Sequence, residues 1–378
     1  MRIVPFVFER AELHKEFINR EKEIEHLTSN FTGLINTILI SPRRWGKNSL
    51  INRVFENLNT EKSITKICRI DLLTTKKEED FYLILAEEVL KVTSDKLEDF
   101  IQNSKKFLSR LIPKISFSTD AQSELSFGLE WEEIKKNPKE ILDLAEAIAI
   151  ENKIRMLICV DEFQNIGTFE NPVDFQKKLH DHWQQHQHVS YCLYGSKRQV
   201  LLDIFTNSSM PFYKFGDLIF LEKIDTEHWV QFIMKRFKDT GKRITSSEAI
   251  MIVSLADNHS YYVQQLAQQV WLRTSDYCSV EIVKKSHDSL VNQLSLLFVN
   301  IVETLSPTQI NFLKAVLNKE HQLSSQEALK KYNMGTSANI VRIKKALLER
   351  EIIDTLGIKV SIQDPMFSYW LQKYYFKI

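Results

Sequence analysis

The sequence predicts an α/β fold in which a parallel sheet carries helices on both faces, followed by a helical domain and a small C-terminal domain. Three observations support this prediction. Short apolar runs typical of buried strands alternate with helical patterns over residues 1–225. Residues 226–304 show only the spacing of amphipathic helices. Residues 305–378 contain three helical patterns followed by a two-stranded ribbon, which is the order of elements in a winged helix.

The predicted sheet domain at 1–225 has five strands. A helical pattern separates each strand from the next, so we expect parallel strands joined by crossover helices. Alternating residues at 113–131 predict a hairpin inserted into this domain. The strands are predicted at 35–40, 67–72, 156–160, 190–194 and 218–221.

The two C-terminal domains are recognised by the same patterns. Within 226–304, helical spacing is clearest at 229–237, 247–255 and 261–274. Within 305–378, helices are predicted at 306–317, 324–332 and 337–350, followed by a ribbon at 352–362 that turns at Gly357.

Composition and charge exclude several classes of protein. Hydrophobic residues make up 43% and charged residues 26% of the 378 residues, which argues against a disordered chain. A net charge of +1 argues against a wholly basic nucleic-acid coat protein. No apolar run approaches the roughly 20 residues that cross a bilayer, and the four cysteines form no CxxC pair. We therefore expect a cytoplasmic protein with reduced cysteines and no membrane span.

The strongest functional signal is the segment 41–49, SPRRWGKNS, between a predicted strand and a predicted helix. In a phosphate-binding loop, GxxxxGK[ST], backbone N–H groups face the phosphates and the lysine reaches the outer ones. Gly46 and Lys47 fit this pattern. Ser41 replaces the first glycine, and Asn48 replaces the Ser or Thr whose hydroxyl binds Mg²⁺. The segment predicts a phosphate site, with a chance GK pair at a turn as the alternative.

Paired carboxylates follow the predicted strand at 156–160. At the carboxyl end of a central parallel strand, Asp161 would lie beside the phosphate loop and hold Mg²⁺ through water. Glu162 would then polarise the attacking water as a general base. An acidic pair at the end of a strand is also common surface chemistry, and the upstream phosphate loop favours the functional interpretation.

A third segment, Cys192 to Arg198, begins within the next predicted strand and ends in polar residues. In sheets of this class, the strand between the phosphate loop and the acidic strand ends in a polar residue near the γ-phosphate, and Ser196 is the candidate. Lys197 or Arg198 could supply positive charge to the transition state. A solvated residue at the start of a helix is the alternative for both cations.

With these three segments in order, the chain resembles the prokaryotic (archaeal-type) ATPase family of AAA+/STAND P-loop NTPases. The family's front motif is similar to residues 17–24, FINREKEI, and its phosphate loop is similar to residues 42–50. Two departures stand out: Asn48 replaces a threonine, and residues 258–260 replace a Gly-x-Pro turn that contacts nucleotide in STAND relatives.

The resemblance implies an ATP-binding switch with a P-loop core, a helical lid at 226–304 and slow Mg²⁺-dependent hydrolysis. ATP is expected between core and lid, with Lys47 on the phosphates, Mg²⁺ on Asp161 and Asn48, Glu162 as base, and Ser196 and Arg198 near the γ-phosphate. The family motifs place nucleotide contacts at Arg20, Glu21, Pro42, Arg43, Arg44, Trp45, Gly46, Lys47, Asn48 and Ser49. A homo-oligomer or a protein client is also possible.

Two other classes of protein stay open. The first is a nucleotide-binding scaffold that barely hydrolyses ATP because of Asn48. The second is a regulator whose winged helix binds duplex DNA, since Lys344 and Lys345 lie on its third helix while Ile340 and Val341 are expected in its core. We interpret the histidines at 180–188 as a polar helix face, because a metal would need carboxylate ligands from elsewhere.

Overall fold

The computed structural model describes residues 4–6, 8, 18–58, 64–94, 99, 102, 106–107, 135, 138–356 and 359–378. The hairpin expected at 113–131 and the ribbon turn at Gly357 lie outside these residues. The chain forms two compact units. The first, the sheet unit, comprises Arg20–Arg43 and Lys47–Glu222, and the second, the C-terminal unit, contains Lys223–Ile378, Arg44–Gly46 and the described residues before Arg20.

The sheet unit is built on a five-stranded parallel sheet with the strand order β2-β3-β4-β1-β5. Its central strands are buried along their length, as expected for a sheet covered on both faces. The predicted parallel α/β architecture is confirmed. The strands are β1 Thr37–Ile40, β2 Thr65–Asp71, β3 Arg155–Asp161, β4 Val189–Gly195 and β5 Asp217–Phe220.

Helices cover this sheet, and their buried side chains form one apolar cluster with the strands. Phe81, Tyr82, Phe175 and Trp183 are large aromatic members of this cluster on helices, each almost fully buried. Asp143 separates two of these helices, which end at Leu142 and begin again at Leu144. The helices are α1 Glu21–Thr32, α2 Lys47–Leu58, α3 Glu78–Val92, α4 Lys139–Leu142, α5 Leu144–Asn152, α6 Pro172–Trp183 and α7 Arg198–Thr206, with a 3-10 helix at Phe163–Thr168.

The register of the strands brings three loops to one edge of the sheet. Ile40, the last residue of β1, lies opposite Gly195, the last residue of β4. Strand β3 ends at Asp161 on the other side of β4. Because all strands are parallel, the loops that follow β1, β3 and β4 leave the sheet at the same edge, where the phosphate loop was predicted.

The C-terminal unit is helical up to its final ribbon, and one apolar cluster runs through it from Ile224 to Leu371. Tyr262 donates a hydrogen bond of 2.6 Å to Asp364, whose carboxylate also accepts from the backbone N–H groups of Met366 and Phe367. The helices are α8 Thr226–Asp239, α9 Ser246–Leu255, α10 Ser260–Arg273, α11 Val280–Glu303, α12 Pro307–Leu317, α13 Gln326–Lys331, α14 Ser337–Glu349 and α15 Pro365–Trp370, with a π-helix at Leu371–Phe376.

Helices α12 to α14 and the antiparallel ribbon β6 Ile353–Leu356 with β7 Lys359–Ile362 form the predicted winged helix. Ile340, Ile343 and Leu347 bury one face of α14 in its core. The expectation that Val341 is also a core residue was wrong, since 67% of its surface is exposed. None of the described helices has the length and apolar character needed to cross a membrane.

The histidines at 180–188 do not share a helix face, because α6 ends at Trp183. Asp143 instead accepts hydrogen bonds from His182 (2.7 Å) and His186 (3.2 Å), and His186 also contacts the hydroxyl of Tyr191 at 2.7 Å. Among the described residues, no group of three or more His, Cys, Asp or Glu side chains is arranged to hold a metal ion.

Candidate functional site

The predicted phosphate loop has the strand–loop–helix geometry that its pattern requires. Strand β1 ends at Ile40 and α2 begins at Lys47. Gly46 has a φ of 90°, a conformation that favours glycine. Ser41, which replaces the first glycine of the pattern, does not have a positive φ. Its buried hydroxyl donates to the carbonyl of Pro42 at 3.0 Å. Serine is therefore sterically compatible with this position.

Lys47 meets both predicted carboxylates at this edge of the sheet. Its ammonium group lies 2.6 Å from Oδ1 of Asp161 and 3.7 Å from Oε1 of Glu162. Lys47 is 9% exposed, so these contacts form largely out of water. Lys47 is thus far in sequence from the two carboxylates that it meets in this partly buried place. Such an ion pair suits a lysine that leaves a carboxylate to bind phosphates.

Two side chains donate hydrogen bonds to the carboxylate of Glu162. The hydroxyl of Ser196 donates to its Oε2 at 3.0 Å, and the amide of Gln164 donates to the same oxygen. Arg43 donates from Nε to the hydroxyl of Ser196 at 3.2 Å, so the phosphate loop is linked through Ser196 to the predicted base. Glu162 itself has a φ of 52°, which costs a non-glycine residue about 1 kcal/mol.

The two carboxyl groups have pKa values shifted in opposite directions. Burial raises the pKa of Asp161, although Lys47 and the N–H of Glu162 oppose this shift. Burial alone would also raise the pKa of Glu162, but Lys47 and the hydrogen bonds from Gln164 and Ser196 outweigh burial and lower it. Glu162 is therefore the carboxylate that the surrounding groups stabilise more strongly in its charged form.

The remaining predicted site residues lie in different environments. Arg43, Arg44 and Asn48 are exposed, Ser49 is half-buried, and Pro42 and Trp45 are buried. Arg198 begins α7, with its guanidinium 5.7 Å from the centre of the Phe220 ring. The described hydrogen bonds to Glu162 come from Gln164 and Ser196, and Arg198 is not among these donors.

Arg20 anchors the start of α1 within the sheet unit. Its guanidinium donates to Glu23 at 2.7 Å and to the carbonyl of Glu222 at 2.6 Å. The carboxylate of Glu21 accepts from the backbone N–H of Arg20 at 3.1 Å. Arg20 is 6% exposed, so these contacts fix its side chain and give it a structural function at this position.

The donors present at the edge of the sheet fit Mg²⁺. This ion prefers oxygen ligands and is usually held by one or two protein side chains, the substrate's phosphates and water. Asp161 would supply a carboxylate oxygen and Asn48, the second residue of α2, would supply an amide oxygen. A dedicated cage of carboxylates is not required.

Sequence reasoning missed one member of this site. Gln164 received no function, although it follows the acidic pair by two residues in the segment DEFQ. It is 3% exposed and contacts the carboxylate of Glu162 directly. An amide side chain so close to an acidic pair at a strand end was the available signal.

Two family models match this chain. Residues 17–266 match the family described as an ATPase domain predominantly from Archaea. Residues 296–373 match a probable winged helix domain. A search among curated proteins found no match.

Two solved structures share the fold over almost the whole chain. The Walker-type ATPase paby2304 of Pyrococcus abyssi has 19% identity and a TM-score of 0.64, with 96% of this chain and 99% of that chain covered. The ORC2 protein of Aeropyrum pernix, in its ADPNP–ADP complexes, has 12% identity and a TM-score of 0.56, with 95% and 93% covered.

Proposed function

The chain belongs to the family of ATPase domains found predominantly in Archaea, and on this premise we propose that it binds ATP with Mg²⁺ and acts as a nucleotide-driven switch with slow ATP hydrolysis. The observation that carries the proposal is the contact of Lys47 with Asp161 and Glu162, at 2.6 and 3.7 Å, where the phosphate loop meets β3. The Aeropyrum pernix protein with a similar fold was solved with ADPNP and ADP, which supports an adenine nucleotide as the ligand.

Each residue of the site has a distinct function in this proposal. Lys47 turns from Asp161 to the outer phosphates, and the N–H groups at the start of α2 bind them. Asp161, with Asn48, holds Mg²⁺, which neutralises the charge that develops on the phosphates. Glu162 orients the attacking water and accepts its proton. Ser196 responds to the γ-phosphate, because its hydroxyl already links Arg43 to Glu162.

The direct test is Mg²⁺-dependent ATP turnover of the wild type beside its Glu162→Gln variant. We expect turnover to fall by about 100-fold or more in the variant, since an amide cannot accept the proton. ATP affinity should change little, because Glu162 is not proposed to bind the phosphates. Equal, background-level rates in both proteins would contradict hydrolysis and favour a scaffold that binds nucleotide without cleaving it.

Exposed residues on the winged helix favour a second candidate, a DNA-binding regulator whose oligomeric state depends on ATP. Val341, Arg342 and Lys345 are exposed on α14, and Lys359 is exposed on β7. The ammonium group of Lys345 lies 3.9 Å from the carboxylate of Glu349, which weakens the positive potential that Lys345 presents to a partner. The exposed apolar Val341 beside Arg342 suits a surface that contacts a groove.

This candidate predicts salt-sensitive binding of duplex DNA that is lost in the Lys344→Ala/Lys345→Ala variant. Each lost phosphate contact should reduce the slope of log K against log salt by about 1. The matched control is Lys284→Ala/Lys285→Ala, which removes two adjacent exposed lysines from α11. Equal affinity of all three proteins in a fluorescence anisotropy titration would exclude α14 as a DNA-binding helix.

A further inference from the structure

Gln164 contacts Glu162, the predicted base, from the protein interior. It is 3% exposed, on the 3-10 helix that follows β3, and its Nε2 donates to Oε2 of Glu162. Its other amide atom, Oε1, is buried without a hydrogen-bond partner among the described residues. An unpaired buried carbonyl costs about 1–3 kcal/mol, so this orientation of the amide is maintained at the expense of stability.

Gly195, the last residue of β4, provides the space that the Gln164 side chain occupies. A Cβ atom at position 195 would lie 1.8 Å from Oε1 of Gln164 and 3.4 Å from Cα of Glu162. The φ of Gly195 is not positive, so this position requires glycine for space and not for backbone conformation. Any larger residue would push the amide of Gln164 away from Glu162.

The 3-10 helix itself is fixed to the neighbouring strand. Asn165 donates from Nδ2 to the carbonyl of Leu72 at 2.9 Å, and its backbone N–H donates to the carbonyl of Glu162 at 2.9 Å. Gln164 therefore projects from a short helix that Asn165 ties to Leu72, the residue that follows β2. A side chain on such a support is well suited to fix the geometry of its neighbour.

We infer that Gln164 is a positioning residue for Glu162: with Ser196 it holds Oε2, so that Oε1 alone is presented to the reacting water. This inference rests on the proposed hydrolysis. Both donors meet Oε2, while Oε1 is 3.7 Å from Lys47, which leaves it available once Lys47 turns to the phosphates. A base fixed at one oxygen cannot rotate away from the attack geometry.

The test compares steady-state ATP turnover of the wild type with Gln164→Ala, Gly195→Ala and the double variant. We expect kcat to fall about tenfold or more in each single variant, while KM and the Kd for mant-ATP stay within about twofold. The double variant should be no slower than Gln164→Ala, because the added methyl group then enters the space that the amide has left.

The matched control is Gln176→Ala on α6. Gln176 is 1% exposed and its Oε1 has no hydrogen-bond partner in the described part of the chain, but it makes none of the described hydrogen bonds to Glu162. It should lower the melting temperature like Gln164→Ala and keep the wild-type kcat. A kcat for Gln164→Ala within about twofold of the wild type overturns the inference, as does a parallel loss of kcat in Gln176→Ala.

Failure of the proposed function gives a different result. If Glu162→Gln and the wild type both show only the background rate, there is no base to position, and hydrolysis and the inference are both overturned. If Glu162→Gln loses turnover while Gln164→Ala keeps it, only the inference fails. Additive losses in the double variant would show that Gly195 acts independently of Gln164 and would also overturn it.

Discussion

Asn48 occupies the position where phosphate loops carry a serine or threonine. It is exposed, as the second residue of α2, directly after Lys47. A hydroxyl oxygen in this position binds Mg²⁺ closely, whereas an asparagine brings a longer, uncharged amide. If Mg²⁺ is held less well in the transition state, slow turnover follows from this one residue.

Asn48→Thr should therefore raise Mg²⁺-dependent ATP turnover, on the order of tenfold, or about 1.4 kcal/mol in the activation barrier. The measurement is kcat at saturating ATP over a range of Mg²⁺ concentrations. Asn48→Ala is the control, because it removes the amide without supplying a hydroxyl and should not gain activity. An unchanged rate in Asn48→Thr would exclude Asn48 as the cause of slow hydrolysis.

At the scale of elements, helices α11 and α15 meet around a buried histidine of the C-terminal unit. The ring of His287 packs edge-on against Tyr369, with centroids 4.4 Å apart. Tyr369 and Lys373 both donate to Asp288, at 3.2 and 2.7 Å. Burial lowers the pKa of His287 to about 4, although Asp288 opposes this shift and Lys373 adds to it.

This shift makes the stability of the C-terminal unit depend on pH. In the unfolded state His287, with an ordinary pKa near 6.5, is protonated below about pH 6.5, whereas in the folded state it is protonated only below about pH 4. The unfolding free energy should therefore fall as pH is lowered from about 6.5 to about 4, by up to about 3 kcal/mol.

His287→Gln should flatten that dependence, as measured by urea unfolding between pH 4 and pH 7. Part of the slope should remain, because burial also lowers the pKa of His259 to about 3. The exposed His321 is the position for a control substitution, His321→Gln. An identical slope in wild type and His287→Gln would contradict the assignment.

At the scale of the whole molecule, ligand binding should stabilise the fold. A ligand that binds only the folded state at about 100 times its Kd adds about 2.7 kcal/mol. MgATP should therefore raise the melting temperature of the wild type, and Lys47→Ala should abolish this rise. Lys177→Ala, which removes an exposed lysine of α6, is the control. A rise that persists in Lys47→Ala would mean that ATP binds elsewhere.

Much of the fold was predictable because its helices and strands have recognisable local hydrophobic patterns. All five predicted strands lie within two residues of the ends of the observed strands. Val341 was misassigned because the apolar pattern of α14 does not reveal which neighbours cover it. His186 was misassigned because the end of α6 at Trp183 carries no glycine or proline signal.

The sequence alone determined the parallel α/β order, the phosphate loop at 41–49 and the acidic pair at the end of β3, because periodicity and spacing are local properties. Only the tertiary structure brought Lys47 to Asp161, placed Ser196 and Gln164 on one oxygen of Glu162, and gave Gly195 its steric function. Those contacts join β1, β3 and β4, and strand order and register set them. No local pattern specifies which side chains two distant strands will bring together.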